Sequence, residues 1–227
     1  MTPLAPHLTA FLKDHLPRER GASRHTIASY ADSFALLLRF AAARLKRGPS
    51  DLWVEDLDVA LVRAFLDHLE SNRGNGSRSR NARFSAIRTF FRYIEYRLPA
   101  CLEQAMSIRA LPIKRTDTRL IDYLTRDEMK ALLDAPDPRS VSGLRDRAML
   151  ELMYATGLRV TELVTLVPEQ VNLRQGALRV RGKGGKERLV PLGEVAVEWL
   201  LRYIESSRPL LLKGRASKAL FVTARGG

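Results

Sequence analysis

Apolar residues recur along the first hundred positions at intervals of three and four, the period of helices that bury one face. Leu8, Phe11, Leu12 and Leu16 set this rhythm before "PRERGAS" stops it. Ser23 or Thr26 is placed to cap a longer second helix, whose stripe is Ile27, Tyr30, Phe34, Leu37 and Leu38. The loop "RGPSDLWVEDLD" leads into a third helix bearing Val62, Phe65, Leu66 and Leu69. After the break "SNRGNGSRSR", a fourth helix runs through "NARFSAIRTFFRYIEY". These stripes must cover one another, which predicts a helical domain over residues 1–105. The stretch 98–119, "LPACLEQAMSIRALPIKRTDTR", loses the period and holds two prolines and a basic cluster. It reads as an interdomain linker, assigned to 106–119.

A second pattern starts at "TRDEMKALLDA", where Thr125 and Glu128 have capping-box spacing. A helix follows from about Ser142 to Tyr154, with Leu144, Ala148, Leu152 and Met149 on its apolar side. Beyond Pro168 the period changes from helical to alternating. "QVNLRQGALRVRGKGGKERLVPL" interleaves apolar and basic residues around turns at Arg174–Gly176 and Gly182–Gly185. This predicts a small antiparallel sheet of three short strands. "EVAVEWLLRYI" returns to helix, and "ALFVT" is expected as a final short strand. The fold class is therefore mainly α with a small antiparallel β-sheet, in a second domain over residues 120–227.

Composition narrows the setting. No run approaches the roughly 18 to 20 apolar residues that a membrane helix needs. The N-terminus has no basic region ahead of an apolar core, so no signal peptide is expected. Cys101 is the only cysteine, which rules out an internal disulfide and suits a reducing, cytoplasmic setting. His7, His15, His25 and His68 lack ligand spacing, and neither a metal nor another cofactor is expected.

Charge points to a polyanionic partner. The chain carries 38 basic against 25 acidic residues, a net charge of +13. Over residues 1–113 the count is 17 against 11, and over 114–227 it is 21 against 14, so the excess is +6 and +7. Both halves are basic, which favours nucleic acid over a membrane surface. Between Arg73 and Arg97 seven arginines meet a single acid, Glu95. Arg88 and Arg92 lie one turn apart beside the core stripe of Phe84, Ile87, Phe91 and Ile94, with Arg78 and Arg80 in the preceding loop. This face either lies along a phosphate backbone or is a solvated basic surface. The hairpin "RVRGKGGKERLVP" carries Arg181, Lys183, Lys186 and Arg188 around three glycines that allow close backbone approach. It lacks the spacing of a P-loop. It is either a phosphate-binding hairpin or an ordinary β-turn with surface lysines. In "ATGLRVTEL", Gly157 can end a helix, and Glu162 falls one turn after Arg159. A carboxylate there can orient a guanidinium for phosphate or simply tie two helices together.

Taken together, "YATGLRVTEL" and, 24 residues after Arg159, Lys183 in "RGKGGKERLVPLG" closely resemble the catalytic domain of tyrosine recombinases of the integrase and Xer-type branch. "TRDEMKALLDA" and "SRNARFSAIRTFFRYI" are similar to that family's entry to the catalytic domain and to its N-terminal core-binding domain. The resemblance spans essentially the whole chain. It implies a helical, SAM-like core-binding domain followed by an α+β catalytic domain, the two closing around duplex DNA. It further implies cleavage by a tyrosine that attacks a backbone phosphodiester, with no metal or cofactor. In that scheme Arg159 stabilises charge on the phosphate, Glu162 orients it, and Lys183 protonates the leaving 5′-oxygen. Double-stranded DNA and other recombinase protomers on the same site are the implied partners. The family's site also needs a His-x-x-Arg motif, a further His or Trp and a tyrosine nucleophile. No histidine follows His68, and Tyr154 and Tyr203 are expected in the core. The catalytic domain is therefore expected to be incomplete in these residues and inactive alone, with part of its core uncovered.

Overall fold

A computed structural model of the chain describes residues 1–116, 122–182 and 187–223. The chain divides into two units, Met1–Leu120 and Ile121–Gly227, each with its own hydrophobic core.

In the first unit, α1 (Leu4–Ala10) continues into a wider-pitched π-helical stretch, Phe11–Glu19. Pro17 lies in that stretch and has no N–H to donate, and Arg20 N reaches five residues back to His15 O at 3.0 Å. Ser23 caps α2 (Arg24–Leu45), its Oγ accepting from Thr26 N at 3.2 Å. Asp58 does the same for α3 (Val59–Ser71), accepting from Leu61 N at 2.7 Å. Helix α4 (Ser77–Arg97) buries Phe84, Ile87, Phe90, Phe91 and Ile94 against these helices. Phe90 meets Phe11 and Phe34 edge-on, each with ring centroids 5.3 Å apart.

Two expectations for this unit need correction. Helix α4 starts at Ser77, just after Gly76, so Arg78 and Arg80 belong to its first turns and not to a loop. The stretch read as linker from residue 98 contains α5 (Leu102–Arg109), which packs on the same core through Ala105 and Ile108, with Cys101 and Leu111 buried on either side of it. Gln104 Nε2 secures it, donating to Val54 O at 2.8 Å and Leu57 O at 2.9 Å. Its buried face rests on Ala105 and Ile108, while Leu102 and Met106 face solvent. Residues 117–119 of the expected linker lie outside the described residues.

In the second unit, the expected capping box opens α6 (Arg126–Asp134). Thr125 Oγ1 accepts from Glu128 N at 3.2 Å, and Glu128 Oε2 accepts from Thr125 N at 2.8 Å. Helix α7 (Val141–Thr156) buries Leu144, Ala148 and Leu152. Tyr154 is 62% exposed, contrary to its expected place in the core. Two residues after Leu152 it has turned about 200° around the helix. A short α8 (Val160–Val164) precedes an antiparallel sheet of β1 (Val171–Asn172), β2 (Ala177–Arg181) and β3 (Glu187–Pro191), ordered β1-β2-β3. In β2, Leu178 and Val180 are buried while Arg179 and Arg181 face solvent, the alternation seen in the sequence. The chain then forms α9 (Glu194–Arg202), a π-helical turn Tyr203–Ser207 and α10 (Arg208–Leu212).

"ALFVT" buries Leu220, Phe221 and Val222 but forms no strand. Side chains satisfy part of its backbone in place of a ladder. Tyr203 Oη donates to Leu220 O at 3.0 Å and accepts from Val222 N at 3.1 Å. Arg208 donates to Leu220 O and Ala219 O, and Leu220 N donates to Leu166 O. Tyr203 is fully buried, as expected. Among the described residues, no helix is long and apolar enough to cross a membrane.

Candidate functional site

The end of α7 builds the site. Gly157 adopts φ +61° and closes the helix by donating from its N to Met153 O at 2.9 Å. Leu158 then turns into the core, as do Leu163 and Leu166 further on, so the backbone between them is pinned. Arg159 takes an extended conformation at the N-cap of α8, and Glu162 falls at the third helical position. There the Glu162 carboxylate reaches back to Arg159 N at 2.9 Å and also accepts from Arg159 Nη1 at 3.1 Å. The spacing in "LRVTE" thus produces a helix cap and an ion pair at once.

A third residue completes the arrangement. Arg188, on β3, donates from Nη1 to Glu162 Oε1 and from Nη2 to Glu162 Oε2, both at 3.0 Å. This parallel two-bond grip is the strongest geometry a guanidinium and carboxylate can form. The Glu162 side chain is only 8% exposed, against 72% for Arg159 and 40% for Arg188. The Arg188 guanidinium, then the Arg159 backbone N–H, holds the Glu162 carboxyl at a pKa of about 2. Glu162 in turn raises the pKa of Arg188. Two cations share one anion, which leaves a net positive corner with Arg159 open to solvent. Such a corner can bind a phosphate oxygen.

The other expected site residues divide. Lys183 and Lys186 lie outside the described residues. Arg181 is exposed at the end of β2, opposite Glu187 in the sheet register. Arg188, expected as a cation of the hairpin, is committed to Glu162. In the first unit Arg78 is exposed. Arg80 is only 7% exposed, with Nη1 donating to Asn81 Oδ1 at 3.1 Å and its guanidinium 5.7 Å from the Phe84 ring. Burial removes it from the surface, which corrects its expected place among residues reaching outward. Arg88 and Arg92 line a shallow cleft of about 200 Å³ with Ser85, Thr89 and Arg109. Arg109 comes from α5 and is ion-paired with Glu95. The sequence pattern gave no sign of Arg109, because the stretch that carries it read as linker.

An apolar cleft of about 360 Å³ also opens on the second unit, with Met149, Val164 and Phe221 among its lining residues.

Comparison with known proteins places these features in context. The model of the phage integrase family matches residues 122–227, and that of the phage integrase N-terminal SAM-like domain matches 8–97. The tyrosine recombinase XerD of Pseudomonas putida is 42% identical over 227 residues, covering 97% of this chain and 70% of that protein. XerD of Vibrio cholerae is 42% identical over 209 residues, covering 92% of this chain and 66% of its own length. The chain thus spans about two thirds of the length of the curated relatives it matches. A lambda integrase dimer, solved bound to a COC′ core site, shares the fold with a TM-score of 0.69 at 19% identity. That match covers 99% of this chain and 58% of the other.

Proposed function

This chain belongs to the phage integrase family of tyrosine recombinases, and from that premise we propose that it serves site-specific DNA recombination by binding duplex DNA. Both units contribute basic surface to the duplex, through Arg78, Arg88 and Arg92 in one and Arg159 and Arg181 in the other. The observation that carries the reading is the exposed Arg159 guanidinium, oriented by Glu162 and left with net positive surroundings by Arg188. At a scissile phosphate Arg159 bonds a non-bridging oxygen and offsets the charge that builds there. Lys183 protonates the departing 5′-oxygen. Other protomers share the recombination site, and the working compartment is the cytoplasm.

These 227 residues contain no histidine after His68. A second reading is that the chain occupies a recombination site without cutting it and competes there with a relative that does cut. Residues of one catalytic site act as a unit, so Arg159, Glu162 and Lys183 by themselves do not supply a proportionate share of activity. A gel-shift assay beside a nicked suicide substrate separates the possibilities. The expected result is a retarded, salt-sensitive complex with no protein–DNA adduct. A phosphotyrosyl adduct would contradict the inactive reading, and absence of any complex would contradict DNA binding itself.

A further inference from the structure

We infer that Arg188 is a positioning residue, which grips Glu162 from β3 and so keeps Arg159 from being neutralised by its own carboxylate partner. The inference rests on the functional reading above for what Arg159 binds. An arginine and a glutamate three residues apart at the start of a helix can close into a two-bond pair of their own. Such a pair has no net charge and offers little to a phosphate. Here Arg188 occupies the two-bond position, and the Arg159 guanidinium makes a single hydrogen bond, Nη1 to Oε1 at 3.1 Å. The carboxylate is filled: Oε1 accepts from both guanidiniums, and Oε2 accepts from Arg188 Nη2 and Arg159 N. Orientation is retained through the backbone N–H and one side-chain bond, while the three charges sum to +1. A fixed positive charge aimed at an oxyanion needs both properties.

The strand makes the grip stable. Arg188 lies opposite Val180 in the β2–β3 register, and Val180 is buried in the core of the second unit. The guanidinium therefore reaches Glu162 from a strand held by its pairing to the buried β2. Arg188 also lies five residues beyond Lys183 in sequence. The residue that fixes the Arg159 corner thus belongs to the strand that leads out of the basic hairpin.

A direct phosphate contact by Arg188 is the competing role, and a double-mutant cycle on duplex DNA binding distinguishes the two. For a positioning residue, Arg188→Gln weakens binding of a mixed-sequence duplex about ten-fold, because Glu162 then closes on Arg159. In a Glu162→Gln background the same change costs no more than about two-fold, since no carboxylate remains to neutralise Arg159. Equal losses in the two backgrounds would overturn the inference and make Arg188 a direct contact. Thermal melting checks that each variant is folded. If Arg188→Gln does not fold, Arg188→Lys carries the same cycle, because an ammonium keeps the charge but cannot form the two-bond grip. A wild-type chain that fails to bind any duplex would overturn the functional reading, and this inference with it. Additive losses in a chain that does bind would overturn this inference alone.

Discussion

Around Glu162 two guanidiniums divide one carboxylate, and that division sets the behaviour expected of each residue. The carboxyl pKa of about 2 lies below its ordinary value of 4.5. A depressed folded-state value means that the ion pair contributes fully above the unfolded value and is lost as pH falls from there toward 2. DNA affinity is therefore expected to show no titration of this group above about pH 5. Carboxyl NMR should find a Glu162 midpoint near 2, and Arg188→Gln should move it upward. Arg80 and Arg92 give a contrast at the same scale. Arg80→Ala should destabilise the first unit by about 1–3 kcal/mol in denaturant unfolding, because it removes a buried hydrogen bond and ring contact. Arg92→Ala should leave stability alone and weaken duplex binding. The pairing of Arg159 with Glu162 was readable from their spacing. The share taken by Arg188 was not, because it depends on a strand register 26 residues away.

Among the elements, hydrophobic period located the long helices, and alternation located the three strands. Residue chemistry located the Thr125–Glu128 box on α6 and narrowed the α2 cap to Ser23 or Thr26, of which Ser23 is the cap. Period failed where burial falls on small residues. Helix α5 buries Ala105 and Ile108 and leaves the bulkier Leu102 and Met106 outside, so nothing in its hydropathy marks a buried face. The strand expected at "ALFVT" does not form, because side-chain partners on Tyr203 and Arg208 stand in for a neighbouring strand. Two substitutions test these elements by denaturant unfolding. Ile108→Ala should cost about 2–5 kcal/mol if α5 is part of the first core, and almost nothing if it were linker. Gly157→Ala should cost about 1–2 kcal/mol. A Cβ there meets no atom within 4 Å, so backbone conformation at φ +61° is the whole cause.

For the molecule as a whole, positive charge is distributed over both units, and each unit has a core of its own. The order and spacing of "YATGLRVTEL" and "RGKGGKERLVPLG" made the family legible in the sequence. The corner of Arg159, Glu162 and Arg188 became visible only when the fold brought α8 and β3 together. A basic two-unit chain that neutralises several phosphates should release counterions on binding, so its affinity should fall linearly on a log–log plot against salt. The most direct measurement is that salt dependence for the wild type and for Arg159→Ala, on the same duplex. The predicted result is weaker binding by Arg159→Ala at every salt concentration, with a slope shallower by about 0.9, one phosphate contact. Indistinguishable affinities and slopes for the two proteins would contradict the assignment of Arg159 to phosphate.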